Sequence, residues 1–164
     1  MKQEPTINEF LLLASPILKH PRFRELKKYP HHGDISIRKH VLNVAYLCYK
    51  HSLNKKNISL NELINAALLH DYYLYDWHDR TAHNGMHGFN HPLIAVTNAR
   101  RDFPLTRKES RIIMSHMWPL TFLHFPTSKE AWILCYYDKV STCIENHKCH
   151  LNKKNIKKQK VAKN

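Results

Sequence analysis

Two adjacent ionisable residues, His70 and Asp71, close a strongly apolar segment that begins at Leu60. Burying such a pair is costly unless something satisfies both groups together. A divalent metal does so, by taking an imidazole nitrogen and a carboxylate oxygen at once. Four further residues have the type and position to join them. His40 falls three residues after Ile37 and four before Val44, on the inward side of a helical pattern. Asp138 lies among Leu134, Cys135 and Tyr137, poor company for a lone carboxylate. His116 closes a segment after Ile112 and Ile113, and His91 stands at a helix start before Pro92. Singly, each is an ordinary core or capping residue. Together they are six nitrogen and oxygen ligands brought by separate helices, the arrangement of a metal site inside a helical bundle.

The elements that must position them are read from caps and periodicity. Ser or Thr followed three residues later by Glu recurs at Thr6–Glu9, Ser59–Glu62, Thr106–Glu109 and Thr127–Glu130, the pattern of a capping box. Helices are expected at about 7–19, 22–28, 37–52, 60–73, 92–102, 107–117 and 129–147, with Pro92 in a first turn. No alternating strand pattern stands out. The expectation is an all-α fold: one domain over 1–147, then a Lys-rich tail over 148–164 that is frayed or disordered.

The order His40, His70-Asp71, His91, His116, Asp138 resembles the HD-domain superfamily of metal-dependent phosphohydrolases, over residues 36–145. The phrases "RKHVLNVA", "AALLHD" and "YYDK" carry the likeness, and "HDYYLYDWHD", "HGFNHP" and "HMWPLT" resemble a little-characterised bacterial branch. The resemblance implies an orthogonal helical bundle around a central site holding two divalent metals, iron or manganese first, with magnesium, nickel, cobalt or zinc as others. By that likeness His40, His70, Asp71 and Asp138 hold the first metal, and Asp71 bridges to a second completed by His91 and His116. The implied reaction is hydrolysis of a phosphoester in a small phosphorylated molecule or nucleotide by a metal-activated water.

The chain also departs from the pattern. Many dimetal relatives continue the doublet as His-Asp-Ile-Gly-Lys, whereas here Tyr72, Tyr73 and Leu74 follow, without the lysine. The Gly-Tyr-Pro motif of cyclic-dinucleotide phosphodiesterases is absent, and Tyr137 replaces the usual small residue before the last aspartate. The irregular stretch 75–90 reads as a lid. In it Arg80 is a candidate phosphate clamp, and His83 and His87 are candidates to protonate a leaving oxygen. Lys139 is placed to reach substrate, and Asp34, Asp76 and Asp79 are candidate partners for metal-bound imidazoles. His31, His32 and Gly33 are expected near the rim, and Trp118 to Thr121 on a pocket wall. The other histidines, His20, His51, His124, His147 and His150, read as surface or packing residues.

Composition sets the outer limits. The 164 residues carry a net charge of +13, but residues 148–164 supply seven of the lysines and no acid. The charge is therefore weak support for nucleic-acid binding, and no nucleic-acid partner is expected. Three glycines leave no room for either glycine-rich nucleotide-binding motif. Four cysteines without a C-x-x-C pair read as free thiols. With no apolar run of spanning length, the expectation is a cytoplasmic protein with no membrane partner; a homodimer is compatible with it. Two other functions stay open: a mixed-valent diiron oxygenase of the same superfamily, and a non-enzymatic sensor binding nucleotide or nucleic acid.

Overall fold

The computed structural model describes residues 3–161, and the side chains of 3–152. It is an all-α bundle of helices α1 (Ile7–Leu18), α2 (Pro21–Glu25), α3 (Ile37–Ser52), α4 (Leu60–Leu69), α5 (His87–Asp102), α6 (Arg107–Ser115) and α7 (Lys129–Val161). A 3-10 turn, Leu26–Lys28, follows α2. Among the described residues no helix is long and apolar enough to cross a membrane.

The hub is α4. Leu63, Ile64, Ala66, Ala67, Leu68 and Leu69 are all buried, and α4 touches α1, α3, α5, α6 and α7. Each fully buried Leu or Ile contributes about 1.5–3 kcal/mol, so this short helix is fixed by packing more than by its own propensity. Its C-terminal end, carrying His70 and Asp71, is therefore delivered to the centre of the bundle.

Several element ends differ from the sequence expectation. Helix α4 stops at Leu69 rather than near 73, and the Asn98 side-chain amide donates to the carbonyls of Tyr72 (3.1 Å) and Tyr73 (3.2 Å). A tertiary hydrogen bond thus takes over from the helical ladder, which no local stop signal foretells. Helix α5 begins at His87, a turn before the expected 92, with Pro92 inside it. Helix α7 continues past 147 to Val161, since nothing from 148 to 161 is a glycine or proline that would end it. The Lys-rich tail is thus helical as far as the backbone is described; residues 162–164 lie outside the described residues.

The caps also differ in part. Thr106–Glu109 is a complete capping box, and the Thr6 hydroxyl accepts from Glu9 N–H. Ser59 makes no side-chain cap, and its N–H, which a capping box would give to Glu62, is donated to Glu130 Oε1 at 2.8 Å. At α7 the hydroxyl that accepts from Ala131 N–H belongs to Ser128, not Thr127.

One element had no sequence signal. Pro30–His32 (β1) and Ile35–Ser36 (β2) form an antiparallel hairpin. Gly33 turns it with φ +58°, and a Cβ there would run into Cys149 Sγ of α7. The hairpin points His31 inward, where it is buried.

Candidate metal centre

The six residues singled out by type and position converge in one buried cluster. His40 comes from the inward face of α3 with Ile37, Val41 and Val44. His70 and His116 occupy the C-caps of α4 and α6, His91 lies in α5 and Asp138 in α7. All six are buried.

The imidazoles share one orientation. His70 Nδ1 donates to Ala67 O (2.8 Å), His116 Nδ1 to Ile113 O (2.7 Å) and His91 Nδ1 to His87 O (3.1 Å). His40 Nδ1 donates to Glu145 Oε2 at 2.9 Å. With each Nδ1 hydrogen directed outward, the four Nε2 atoms point to the centre, as in metal-binding histidines generally.

Asp71 divides its two oxygens between two sets of partners. Oδ2 lies 3.8 Å from His40 Nε2 and 3.5 Å from His70 Nε2, and Oδ1 lies 3.2 Å from His91 Nε2 and 3.7 Å from His116 Nε2. Asp138 Oδ1 adds to the first set, 3.1 Å from His40 Nε2 and 3.5 Å from His70 Nε2. Within this cluster His70 Nε2 and Asp71 Oδ1 have no hydrogen-bond partner although both are buried. Buried electron-pair donors converging in this way suit a bound cation. Buried groups of three that could hold an ion include His40–His70–Asp71, His70–His116–Asp138 and Asp71–His91–His116. The residues present therefore fit divalent metal.

Electrostatics follow from burial among these charges. Burial resists charge on His40, but the carboxylates of Asp138 and Glu145 outweigh it and lift the imidazole to about 10. Burial, then the neighbouring His91 and His70, push His116 down to about 3. Burial would raise Asp71, yet His70, His31 and His91 hold it well below the usual carboxylate range.

Two contributors escape sequence reasoning. Glu145, which orients His40, sits seven residues after Asp138 with Ser141 between them, an i, i+3, i+7 spacing that keeps all three on one buried face. His31, expected only at the rim, puts Nε2 3.2 Å from Asp71 Oδ2 and stacks on His40 with ring centroids 3.8 Å apart.

A cavity of about 330 Å³ opens onto the cluster, with Tyr73, Trp77, His87, Met117 and Lys139 on its wall. Lys139 is the one Lys or Arg among the described residues that line it, and its ammonium donates to His116 O at 2.9 Å. His87 stacks on His91 (4.6 Å) and accepts from the Tyr75 hydroxyl (2.9 Å). Burial and the nearby His91 lower His87 to about 3, so it is neutral at pH 7, a weak base, and not the acid that would protonate a leaving oxygen.

The rest of the expected lid lies elsewhere. Arg80 is exposed and shares with His83 an outer groove that adjoins the cavity at Trp77, His87 and Gly88. His83 Nε2 donates to Trp77 O at 3.1 Å. Neither residue lines the cavity beside the cluster. Asp76 and Asp79 close local turns on His78 and Thr81, Asp76 also holding the exposed His78 ring, and Asp34 is exposed, so none of them orients an imidazole of the central cluster. On the expected 118–121 wall the cavity meets Met117 instead, and Tyr137 turns away to His51 Nδ1 at 2.9 Å.

No family model, curated protein or solved structure matches this chain.

Proposed function

We propose that this chain is an HD-type, dinuclear metal-dependent phosphohydrolase that cleaves a phosphoester in a small phosphorylated molecule, nucleotides included. The observation that carries the reading is the division of Asp71: one carboxylate oxygen faces His40 and His70, the other faces His91 and His116. A carboxylate so placed suits two ions side by side, with His40, His70 and Asp138 holding one and His91 and His116 the other. An imidazole and carboxylate set without thiolate suits iron or manganese.

Two such ions, when bound, acidify a shared water and stabilise charge on a phosphoryl group. The chain's own residues do the rest. Glu145 and the carbonyls of Ala67, His87 and Ile113 fix the imidazoles, so little reorganisation is needed when a substrate arrives. Tyr73 and Trp77 supply an aromatic wall for the non-phosphoryl part of the substrate. Lys139 offers the cavity a positive charge for phosphoryl oxygens. Neutral His87 lies on the same wall; with Nδ1 accepting from Tyr75, its Nε2–H can donate a hydrogen bond to substrate or water.

The test is metal analysis of protein purified without chelator, followed by anaerobic assay of a phosphoester panel with Mn²⁺ or Fe²⁺. Two ions per chain and phosphate release that disappears in His70→Ala and Asp71→Ala support the reading. Metal-free protein, or full activity in both variants, overturns it. Oxygen consumption by iron-loaded protein without anaerobic phosphate release points instead to the oxygenase branch.

A further inference from the structure

A second groove, of about 770 Å³, lies between α5, α6 and the segment that links α6 to α7. Its apolar lining includes Leu93, Val96, Met114 and Phe125, and three arginines, Arg100, Arg107 and Arg111, border it. Arg107 and Arg111 are one turn apart on α6, and Arg100 reaches across from α5, where its Nε donates to Ser110 Oγ at 3.2 Å. No Asp or Glu lines the groove, and among the described residues none of the three arginines has an ion-pair partner. Three guanidinium groups gathered without a counter-charge suit a phosphate-bearing ligand.

Beside the arginines the Trp118–Pro126 loop contains no acidic residue and exposes Leu120, Phe122, Leu123 and Phe125. Leu123 is 90% exposed and Phe122 77%. The base of the loop is held: Trp118, Phe125 and Trp132 pack edge to face with centroids 5.0 to 5.6 Å apart. Trp132 and Tyr136 extend the exposed aromatic band along α7. An apolar tip on a fixed base, flanked by unpaired arginines and amphipathic aromatic rings, has the composition of a membrane-interface surface.

We propose that this face docks on an anionic phospholipid surface, with Phe122 and Leu123 entering the acyl boundary and Arg100, Arg107 and Arg111 taking lipid phosphates. This reverses the expectation of no membrane partner, which rested on the lack of a spanning segment; surface attachment needs only a few apolar side chains and a basic patch. A second copy meeting this face with its own fits less well, because neither the groove nor the Trp118–Pro126 loop carries an acidic residue to set against the three arginines. An acidic peptide would use the groove but leave the protruding tip unused.

The test is flotation of the full chain with vesicles of equimolar phosphatidylserine and phosphatidylcholine, and with phosphatidylcholine alone. Binding is expected to the anionic vesicles only. The Phe122→Ser/Leu123→Ser and Arg107→Gln/Arg111→Gln double variants should each bind about tenfold more weakly or worse. In a Phe122→Trp variant, the added fluorescence should be quenched by brominated phosphatidylcholine incorporated into the anionic vesicles. Three results would overturn the proposal. One is wild-type protein that stays unbound. Another is loop variants that bind as wild type with no quenching, which would assign attachment to the Lys-rich end. The third is a solution dimer that the serine variant dissolves.

Discussion

His91 Nε2 and His116 Nε2 face each other across 2.8 Å, while both Nδ1 atoms are donated to main-chain carbonyls. With both Nδ1 hydrogens directed outward, the two Nε2 atoms converge on one point, with Asp71 Oδ1 3.2 Å from His91. His116 is held down to about 3 and does not take up the proton that would relieve the contact. A cation between the three atoms relieves it.

If the proposed two-ion centre is right, His116→Ala should remove one ion and leave the other, which His40, His70 and Asp138 would still hold. Elemental analysis should fall from two ions per chain toward one, and Asp71→Asn should lower both. Turnover in both variants should drop by on the order of 100-fold or more. Two ions per chain in His116→Ala would refute the assignment.

Glu145 gives a second expectation, because it touches the centre only through His40. Its Oε2 accepts from His40 Nδ1 at 2.9 Å, while Oε1 is held by Asn43 (2.9 Å) and Ser141 (3.0 Å). Glu145→Ala should weaken Mn²⁺ binding by roughly 10–100-fold, the usual effect of losing an outer partner. Glu145→Gln, which retains an acceptor oxygen, should lose less. Titration calorimetry of the two variants separates orientation from charge.

The contrast between Glu145 and Arg80 shows where the sequence is legible. The six central residues could be found because a polar side chain on an apolar helical face breaks a regular pattern. Glu145 follows the same rule, seven residues beyond Asp138, and was within reach of it. His31 was not, since Pro30–His32 and Ile35–Ser36 are too short to show a period, and contact with α7 fixes the turn at Gly33. Arg80 and His83 sit in an aperiodic stretch, where residue type suggests chemistry but nothing tells which side faces the cavity. The end of α4 was hidden for a related reason: the amide that satisfies Tyr72 and Tyr73 comes from Asn98, far along the chain.

Metal loading should also depend on pH, with His40 setting the sign. Its imidazole is raised from 6.5 to about 10 in the metal-free fold, so it is protonated at neutral pH. That proton contributes stability fully below pH 6.5, and the contribution is lost as pH rises toward 10. A metal must expel the proton, so affinity should fall as pH falls through the neutral range. Calorimetry of Mn²⁺ binding at pH 7 in buffers of different ionisation enthalpy should show at least one proton released per chain. Heats that do not vary with the buffer would contradict this.

Away from the centre, Glu130 ties three helices together and makes stability depend on acid. Its Oε1 accepts from Ser59 N–H at the start of α4 and from Lys108 Nζ of α6, both at 2.8 Å, while the residue itself belongs to the first turn of α7. Burial alone would raise its pKa, but Lys108 and the Ser59 N–H hold it below the ordinary 4.5. A carboxylate depressed in the fold contributes stability above its unfolded value and loses it as pH drops through the folded one. Glu130→Gln keeps an acceptor for Ser59 but gives up the charge opposite Lys108, which retains Glu62 at 2.9 Å. The variant should be less stable than wild type at pH 7 by about 1–3 kcal/mol, the range for losing a buried charged hydrogen bond. The gap should narrow as pH falls through the depressed pKa of Glu130, where the wild-type side chain also becomes neutral. Urea unfolding of both proteins in a series from pH 7 down to the acid limit of the fold measures it, and a gap that stays constant across the series would show that Glu130 acts by shape rather than by charge.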